Sequence, residues 1–272
     1  MGSLVHEIRI VLRCWRREGA TSLISLFSLA CGVATVVAVF AVLDGLWLKP
    51  LPYGAPDRLV AVWESKPAEG IDRQPTSTPN FTDWKARARS LEGIAATSTV
   101  FERSLQTDAG PVEVSMSGVT EGFFELLGVA PEVGRPFAVD DFSDSGRAVA
   151  LVTHRLWRDV FAGRDDIAGL EVTLDKRPVT VLGVLPADYV HPDWRDFEQR
   201  RAELFIPMPL RVSESDRRRD WLAVVGRLAD GAGLPAAVAE MSDLSTQLAR
   251  EHPEANAGYR ARCAPLKQAL FG

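Results

Sequence analysis

The sequence of 272 residues lacks the short motifs that mark the common enzyme classes. It contains no GxSxG nucleophile elbow, no P-loop, no HExxH zinc motif and no dinucleotide-binding fingerprint. The four histidines, at positions 6, 154, 191 and 252, lie in unrelated sequence contexts. We therefore predict no catalytic, cofactor-binding or metal-binding residue, and we expect the chain not to be an enzyme.

Cysteine is scarce, and basic charge is not in excess. Cys14, Cys31 and Cys263 lie far apart, and there is no CxxC pair or Cys/His metal spacing. We therefore predict neither an intrachain disulfide nor a cysteine metal site. The formal net charge is −5. Because binding to phosphates requires a basic surface, this balance argues against nucleic acid as a partner.

The sequence does contain one long hydrophobic run. Leu23 to Leu43 includes no charged residue, and as a helix it would be about 31 Å long, close to the thickness of a bilayer's hydrocarbon core. A cleaved signal peptide has a shorter apolar core, of about 7–15 residues. A lipoprotein signal ending at Cys31 would not need the apolar residues that follow it. We therefore predict an uncleaved transmembrane helix over residues 20–48.

The charges that flank this run predict its orientation. Arg9, Arg13, Arg16 and Arg17 precede it, whereas Lys49 is the one nearby cation after it. The positive-inside rule then places the N-terminus in the cytoplasm and the large following region outside.

Residues 1–19 carry a second pattern. Apolar residues recur at helical spacing between Leu4 and Trp15, and the arginines fall on another face. This pattern is typical of an amphipathic helix on the cytoplasmic membrane surface. The arginines could equally be a simple topology signal.

Residues 49–272 have the pattern of an α+β extracytoplasmic domain. We predict an α/β part over about 49–100 and 211–272, with a β-rich insertion over about 101–210, and loops at Ser65–Pro79 and Arg211–Asp220. The predicted strands are Leu59–Glu64, Gly93–Thr99, Val112–Val119, Ala148–Thr153, Leu204–Ile206, Trp221–Leu228 and Gly258–Cys263, with a hairpin of Glu171–Leu174 and Pro178–Val184. The predicted helices are Pro79–Ser90, Glu121–Leu127, Arg155–Phe161 and Leu234–Arg250. Thr120 is expected to cap the second helix and Gly128 to end it. The buried face of the last helix is expected to carry Val238, Met241, Leu244 and Leu248.

Polar and aromatic clusters in this region favour structural roles. Asp140, Asp141 and Asp144 surround Phe142, but their spacing matches no calcium loop, so we predict a solvated turn. His154 precedes a predicted helix, where capping or burial is expected rather than catalysis. Five aromatic residues are predicted to lie in the core: Trp84, Phe123, Phe124, Trp157 and Trp221.

Several short motifs follow one another in a characteristic order. They are Asp44–Tyr53 (DGLWLKPLPY), Pro56–Val60 (PDRLV), Phe81–Trp84 (FTDW), Gly122–Val129 (GFFELLGV), Gly134–Phe137 (GRPF), His154–Trp157 (HRLW), Val181–Pro186 (VLGVLP) and Gly226–Leu228 (GRL). Each is weak alone. In their order and spacing the chain resembles the MacB-like permeases of the FtsX superfamily, and more closely the duplicated orphan permease group within it.

The resemblance implies a cytoplasmic amphipathic helix, a first membrane helix and a periplasmic core domain in the bacterial inner membrane. It implies that the permease dimerises or pairs, and couples to an ABC ATPase in a separate or fused subunit. ATP-driven motion of the membrane helices would then work the periplasmic domain, for export or to activate partner proteins, including periplasmic or outer-membrane efflux partners. The permease part of such proteins has no catalytic residue or cofactor.

One feature departs from this pattern. Family members carry at least three more membrane helices after the periplasmic domain, whereas this sequence stops at Gly272. We therefore expect the N-terminal portion of a permease, truncated before the remaining helices. The alternative is a stand-alone membrane-anchored extracytoplasmic binding or adaptor module, and the missing motifs disfavour an anchored enzyme.

Overall fold

The structure is a computed structural model that describes residues 19–43, 50–107, 110–143, 147–194 and 201–271. The chain divides into two compact units, Met1–Pro50 and Leu51–Gly272. In the first unit helix α1 runs from Gly19 to Leu43, a segment without proline. Over the described residues, no helix is both long enough and apolar enough to cross a membrane. The transmembrane helix over 20–48 stays a prediction, and the amphipathic helix predicted before Gly19 lies outside the described residues.

The second unit mixes helices and strands along the whole chain. Its strands are β1 Leu59–Lys66, β2 Ile71–Gln74, β3 Thr76–Ser77, β4 Leu91–Thr97, β5 Phe101–Thr107, β6 Gly110–Val119, β7 Val133–Gly134, β8 Val149–Val152, β9 Glu171–Leu174, β10 Arg177–Val184, β11 Leu204–Pro207, β12 Asp220–Leu228 and β13 Arg260–Pro265. Its helices are α2 Thr78–Arg87, α3 Phe123–Leu127, α4 His154–Asp159, α5 Leu234–Glu251, α6 Pro253–Asn256 and α7 Leu266–Phe271. Short 3₁₀ turns lie at Pro56–Arg58, Pro67–Glu69, Val139–Phe142 and Glu214–Arg218.

One continuous sheet joins most of these strands, in the order β11-β8-β10-β9-β5-β6-β4-β12-β1-β13. Strand β12 is an interior strand, third from the β13 end, and it is antiparallel to both β1 and β4. Its segment Leu222–Val225 is fully buried because both faces of the sheet are covered there. Continuous apolar runs such as this one are typical of strands that are buried on both faces.

Six of the strands close into a ring. Strands β11, β8, β10, β9, β5 and β6 pair in succession, and the parallel pairing of β11 with β6, from Leu204 with Met116 to Pro207 with Val119, completes the circuit. We call this ring the six-stranded barrel. Leu105, Val114 and Val181, from three of its strands, are almost fully buried in one apolar cluster. The barrel is therefore filled by side chains, as small barrels are.

Helix α5 covers the other part of the sheet. Met241, Leu244 and Leu248 are buried against the cluster that contains Val60 and Val224, as the helical periodicity predicts. The prediction was wrong for Val238, which is 40% exposed. Ala237 takes its place because the buried stripe runs at steps of four, three and four residues, through positions 237, 241, 244 and 248.

The two predicted loops are not simple loops. Ser65–Pro79 contains strands β2 and β3 and the start of α2, which Ser77 caps by accepting a hydrogen bond from the Asn80 N–H at 3.3 Å. The predicted solvated loop Arg211–Asp220 contains a 3₁₀ turn in which Arg217 is only 4% exposed. Both predictions failed because polar residues here are buried with partners that lie far away in the sequence.

The ends of α3 agree with the sequence prediction on one side only. Gly128 ends α3 as predicted, but Thr120 does not cap it, because Gly122 is the N-cap and the Thr120 hydroxyl accepts from the Ala96 N–H instead. Strand β5 adds to the predicted strands. The division of residues 49–272 at about 101 and 210 stays a prediction.

The hairpin of β9 and β10 is confirmed, with Leu174 opposite Arg177. Its turn is shorter than predicted and consists of Asp175 and Lys176, whose φ angles are +47° and +66°. Two positive φ angles are what a type I′ turn requires, and they match the twist of the strands.

We expect Lys176→Gly to raise the free energy of unfolding by about 0.5 kcal/mol. Glycine relieves about 1–2 kcal/mol of strain that a residue with a side chain has in the left-handed backbone region. The greater conformational entropy of glycine in the unfolded chain offsets part of this gain. The matched change Lys85→Gly, at an exposed position inside α2, should instead lower stability by about 1 kcal/mol. Urea unfolding followed by tryptophan fluorescence measures both, and changes of the same sign would contradict the turn assignment.

Candidate functional site: the arginine junction

Two of the sequence motifs, GFFELLGV and GRL, meet the Gly54–Ala55 segment at one side chain. Arg227 on β12 donates from Nε to the Leu126 carbonyl oxygen at 3.0 Å, from Nη2 to the Gly54 carbonyl oxygen at 2.6 Å, and from Nη1 to the Ala55 carbonyl oxygen at 3.2 Å. We call Gly54, Ala55, Leu126, Gly128 and Arg227 the arginine junction. It joins the leading segment of the domain, residues 51–55, to the end of α3 and to strand β12.

A close backbone approach reinforces this junction. The Gly54 N–H donates to the Leu127 carbonyl oxygen at 2.8 Å. Gly128 ends α3 at φ +69°, and a Cβ atom there would lie 2.9 Å from the Gly54 Cα. Glycine is therefore required at position 128 for two reasons, the left-handed backbone and the lack of space.

A second arginine fixes the chain directly after the leading segment. Arg58 donates from Nε to the Leu228 carbonyl oxygen at 3.0 Å, and its Nη1 lies 2.8 Å from Asp230 Oδ1. It also pairs with Glu92, whose Oε1 lies 3.8 Å from Arg227 Nε. Burial and the nearby Arg58 charge lower the pKa of Arg227, while Glu92 opposes them. An arginine stays protonated under such a shift, so the donors remain available.

Apolar contacts hold the leading segment from inside. Leu51 and Tyr53 are each 7% exposed, and the Tyr53 hydroxyl donates to the Val190 carbonyl oxygen at 2.5 Å. Leu266 and Ala269 of α7, the last helix described, belong to the same buried cluster. Segments at both ends of this unit are thus anchored in one core, and a displacement of either would be felt there.

A buried polar network lies elsewhere, on α2. Glu64, 2% exposed, accepts from Asn80 Nδ2 at 2.6 Å. The Asn80 Oδ1 accepts from Arg217 Nη1 at 2.8 Å, and Arg217 also pairs with Asp83 and Glu214 at 2.7 Å each. Burial, with the negative charge of Asp220 as a second cause, raises the pKa of Glu64 to about 8. Sequence reasoning missed this network, although a carboxylate at the end of the apolar run LVAVWE was a signal.

Residues that the sequence singled out lie apart from these two sites. Asp141 sits on a 3₁₀ turn and pairs with Arg135 at 2.7 Å, next to Asp140, while Asp144 lies outside the described residues. Among the residues that are described, no cluster of histidine, cysteine and carboxylate side chains could hold a metal ion. His154 is the first residue of α4 and lies 3.6 Å from Glu132, but Thr153 is the cap of that helix.

The aromatic predictions were right for three residues of five. Trp84, Phe123 and Phe124 are buried. Trp157 and Trp221 are partly exposed, and each uses its indole N–H in a hydrogen bond: Trp157 with the Arg164 carbonyl oxygen at 2.9 Å, and Trp221 with the Thr78 hydroxyl at 3.1 Å.

The sequence profile of the MacB-like periplasmic core domain matches residues 22–244. This match spans most of the chain and the whole arginine junction, so the chain belongs to the MacB-like periplasmic core domain family. The resemblance inferred from the motifs is thereby confirmed.

Named relatives agree with this family. An ABC transporter permease of Bacillus subtilis (strain 168), YknZ, is 23% identical over 190 residues, which cover 67% of this chain and 47% of YknZ. The macrolide export ATP-binding/permease protein MacB of Neisseria gonorrhoeae is 26% identical over 190 residues, 68% of this chain and 29% of MacB. The chain thus spans about half or less of the curated relatives it matches.

A solved structure shares the fold. The periplasmic region of MacB from Actinobacillus actinomycetemcomitans superposes with a TM-score of 0.54 at 14% identity, covering 79% of this chain and 91% of that one. The predicted mixed α/β MacB-like fold with a β-rich part is confirmed at this level.

We expect Gly128→Ala to lower the free energy of unfolding by about 3 kcal/mol, because it adds backbone strain and a clash with Gly54. Gly70→Ala is the matched control, since Gly70 has nearly the same φ, +71°, with no atom within 4 Å. It should cost about 1 kcal/mol. Equal losses in urea unfolding would contradict a close approach at the junction.

We also expect Glu64→Gln to change the pH dependence of stability. Between about pH 4.5 and 8 the folded chain keeps a proton on Glu64 that the unfolded chain has lost, so the wild-type free energy of unfolding falls as pH rises through this range. The variant has no titrating group at position 64, so its free energy of unfolding should not fall in this way. At pH 8.5 it should exceed that of the wild type by about 2–4 kcal/mol, since one pKa unit corresponds to about 1.4 kcal/mol.

At pH 5 the two proteins should differ far less. The exposed change Glu113→Gln is the control and should leave the pH profile of urea unfolding unchanged. A variant that follows the wild-type profile at both pH values would rule out a protonated Glu64.

Proposed function

We propose that this chain is the N-terminal portion of an ABC-type transporter permease, whose periplasmic domain couples ATP-driven motion of membrane helices to export or to activation of a partner protein. The observation that carries the proposal is the family match over residues 22–244. Two relatives, an ABC transporter permease and a macrolide export ATP-binding/permease protein, support the same class.

The proposed arrangement follows the predicted topology. An amphipathic helix over residues 1–19 lies on the cytoplasmic face of the bacterial inner membrane, and residues 20–48 span the bilayer once in this chain. Residues 49–272 form the periplasmic domain, with the β-rich insertion over about 101–210. The partners are an ABC ATPase subunit, which hydrolyses the ATP, a second permease copy, and periplasmic or outer-membrane efflux proteins.

The arginine junction supports a direct mechanical path through the domain. Motion of the membrane helix would reach the domain at the leading segment. Arg227 donates charge-assisted hydrogen bonds to three carbonyl oxygens. Together with the Gly54–Leu127 backbone hydrogen bond and the burial of Leu51 and Tyr53, these contacts restrict movement of the leading segment relative to strand β12. Strand β12 and helix α3 would move with the leading segment, and the rest of the sheet with β12.

The test is to insert Gly-Ser-Gly-Ser between Pro50 and Leu51, which leaves the junction intact but breaks the path to it. A matched insertion between the exposed residues Asp165 and Asp166 is the control. The permease is reconstituted with its ATPase in lipid nanodiscs. Spin labels are attached at Lys176→Cys in a background without native cysteines, and the distances between paired copies are measured with and without ATP and vanadate.

We expect nucleotide to change the distance distribution in the parent and the control, and to change it little in the protein with the insertion after Pro50. A full ATP-driven change that survives this insertion would contradict transmission through the leading segment. A parent that shows no ATP-driven change at all would favour the stand-alone membrane-anchored binding module.

A further inference from the structure

The six-stranded barrel ends in an open cavity. The cavity has a volume of about 610 Å³, within the range of about 300–1,000 Å³ that is usual for ligand pockets. We call it the barrel mouth. Its walls come from all six barrel strands, with Arg103 on β5, Met116 on β6, Val149 on β8, Leu174 on β9, Val179 on β10 and Ile206 on β11.

These residues lie on the inner side of the barrel. Met116 and Arg103 are each two positions from a residue of the filled interior, Val114 and Leu105, and side chains two apart on a strand share a face. Met116, Leu174 and Val179 belong to the same buried cluster, and Ile206 packs against it. The cavity is therefore a continuation of the barrel core, open to solvent, and its floor is apolar.

The barrel mouth is lined by more arginines than acidic residues. Arg103 lies 3.2 Å from Asp175, and Asp141 is neutralised by Arg135, whose hydrogen bond lowers the pKa of that carboxyl. Both acidic groups are thus already paired. Two further arginines line the cavity, Arg147 and Arg177, and over the described part of the chain neither guanidinium group has a hydrogen bond or an ion pair.

We propose that the barrel mouth binds a small amphipathic carboxylate. Its apolar tail lies on Met116, Leu174, Val179 and Ile206, and its carboxylate pairs with Arg147 and Arg177. Guanidinium groups bind carboxylates through charge-assisted hydrogen bonds. An amphipathic cation would face two unneutralised positive charges, and a purely apolar ligand would leave both unpaired. The proposal is independent of the coupling function, since a binding site in the barrel requires no motion of the leading segment.

Methionine supplies a direct probe of this site. The sequence has four methionines. Met116 lines the barrel mouth, whereas Met241 lies fully buried on the inner face of α5 and serves as an internal control. The full chain, labelled with ¹³C-methyl methionine and held in lipid nanodiscs, is titrated with octanoate at concentrations below micelle formation. The Met116→Leu variant assigns the signal.

We expect octanoate to shift the Met116 methyl resonance in a saturable way and to leave Met241 unmoved. Arg177→Gln and Arg147→Gln should each weaken the octanoate affinity about tenfold, because each removes a charge-assisted contact. Arg155→Gln, an exposed arginine on α4 outside the cavity, should have no effect. An unchanged Met241 signal shows that each variant is folded.

Three outcomes would overturn the proposal. The first is the absence of a saturable shift at Met116. The second is equal binding of octylammonium, which has the same tail with the opposite charge. The third is an affinity for octanoate that survives in the double variant of Arg147 and Arg177, because binding would then depend on the tail alone.

Discussion

The connection of the leading segment to the sheet depends on one guanidinium group. Arg227 offers several N–H donors in a fixed plane, and the carbonyl oxygens of Gly54, Ala55 and Leu126 accept from it. These carbonyls belong to segments that have no strand pairing with each other, so a side chain must supply the contact that a backbone ladder supplies elsewhere. A lysine could not do so in the same way, because its ammonium is a compact group without the fork of the guanidinium.

The glycines at the junction follow from this arrangement. One guanidinium can reach all three carbonyl oxygens only if the backbone of the leading segment and the backbone at the end of α3 are in direct contact. Gly54 and Gly128 permit that approach. The motifs GFFELLGV and GRL and the Gly54–Ala55 segment are far apart in the chain, yet they form parts of one contact. The family resemblance thus has a local physical basis in this structure.

Much of the fold is predictable from local pattern. The apolar runs of β1 and β12, the β9–β10 hairpin and three of the four buried positions predicted on α5 each depend on residues within one segment, and each was predicted correctly. The polar strands β2 and β3 were not, because Thr76 and Ser77 have no apolar alternation and are buried only through partners in β12. Arg217 lies in a charged run that predicts exposure, but its partner Asn80 is 137 positions away.

The closure of the barrel could not be predicted from local sequence either, because it depends on pairing between Met116 and Leu204, which are 88 positions apart. The junction was visible as motifs but not as a contact. A motif reports that a residue type is required at a position. It does not report which distant carbonyl the residue will meet.

Closing six strands into a ring also has a consequence for how the surface meets other molecules. A closed ring leaves no unpaired strand edge, which is the feature through which β-proteins add foreign strands and aggregate. The strand order ends instead at β13, whose sequence RARCAP places exposed Arg260 and Arg262 and the imino acid Pro265 along that border. Charge and a missing N–H donor both discourage a neighbouring chain from extending the sheet there. Along this main strand order, strand addition is thus disfavoured by ring closure at one end and by the composition of β13 at the other.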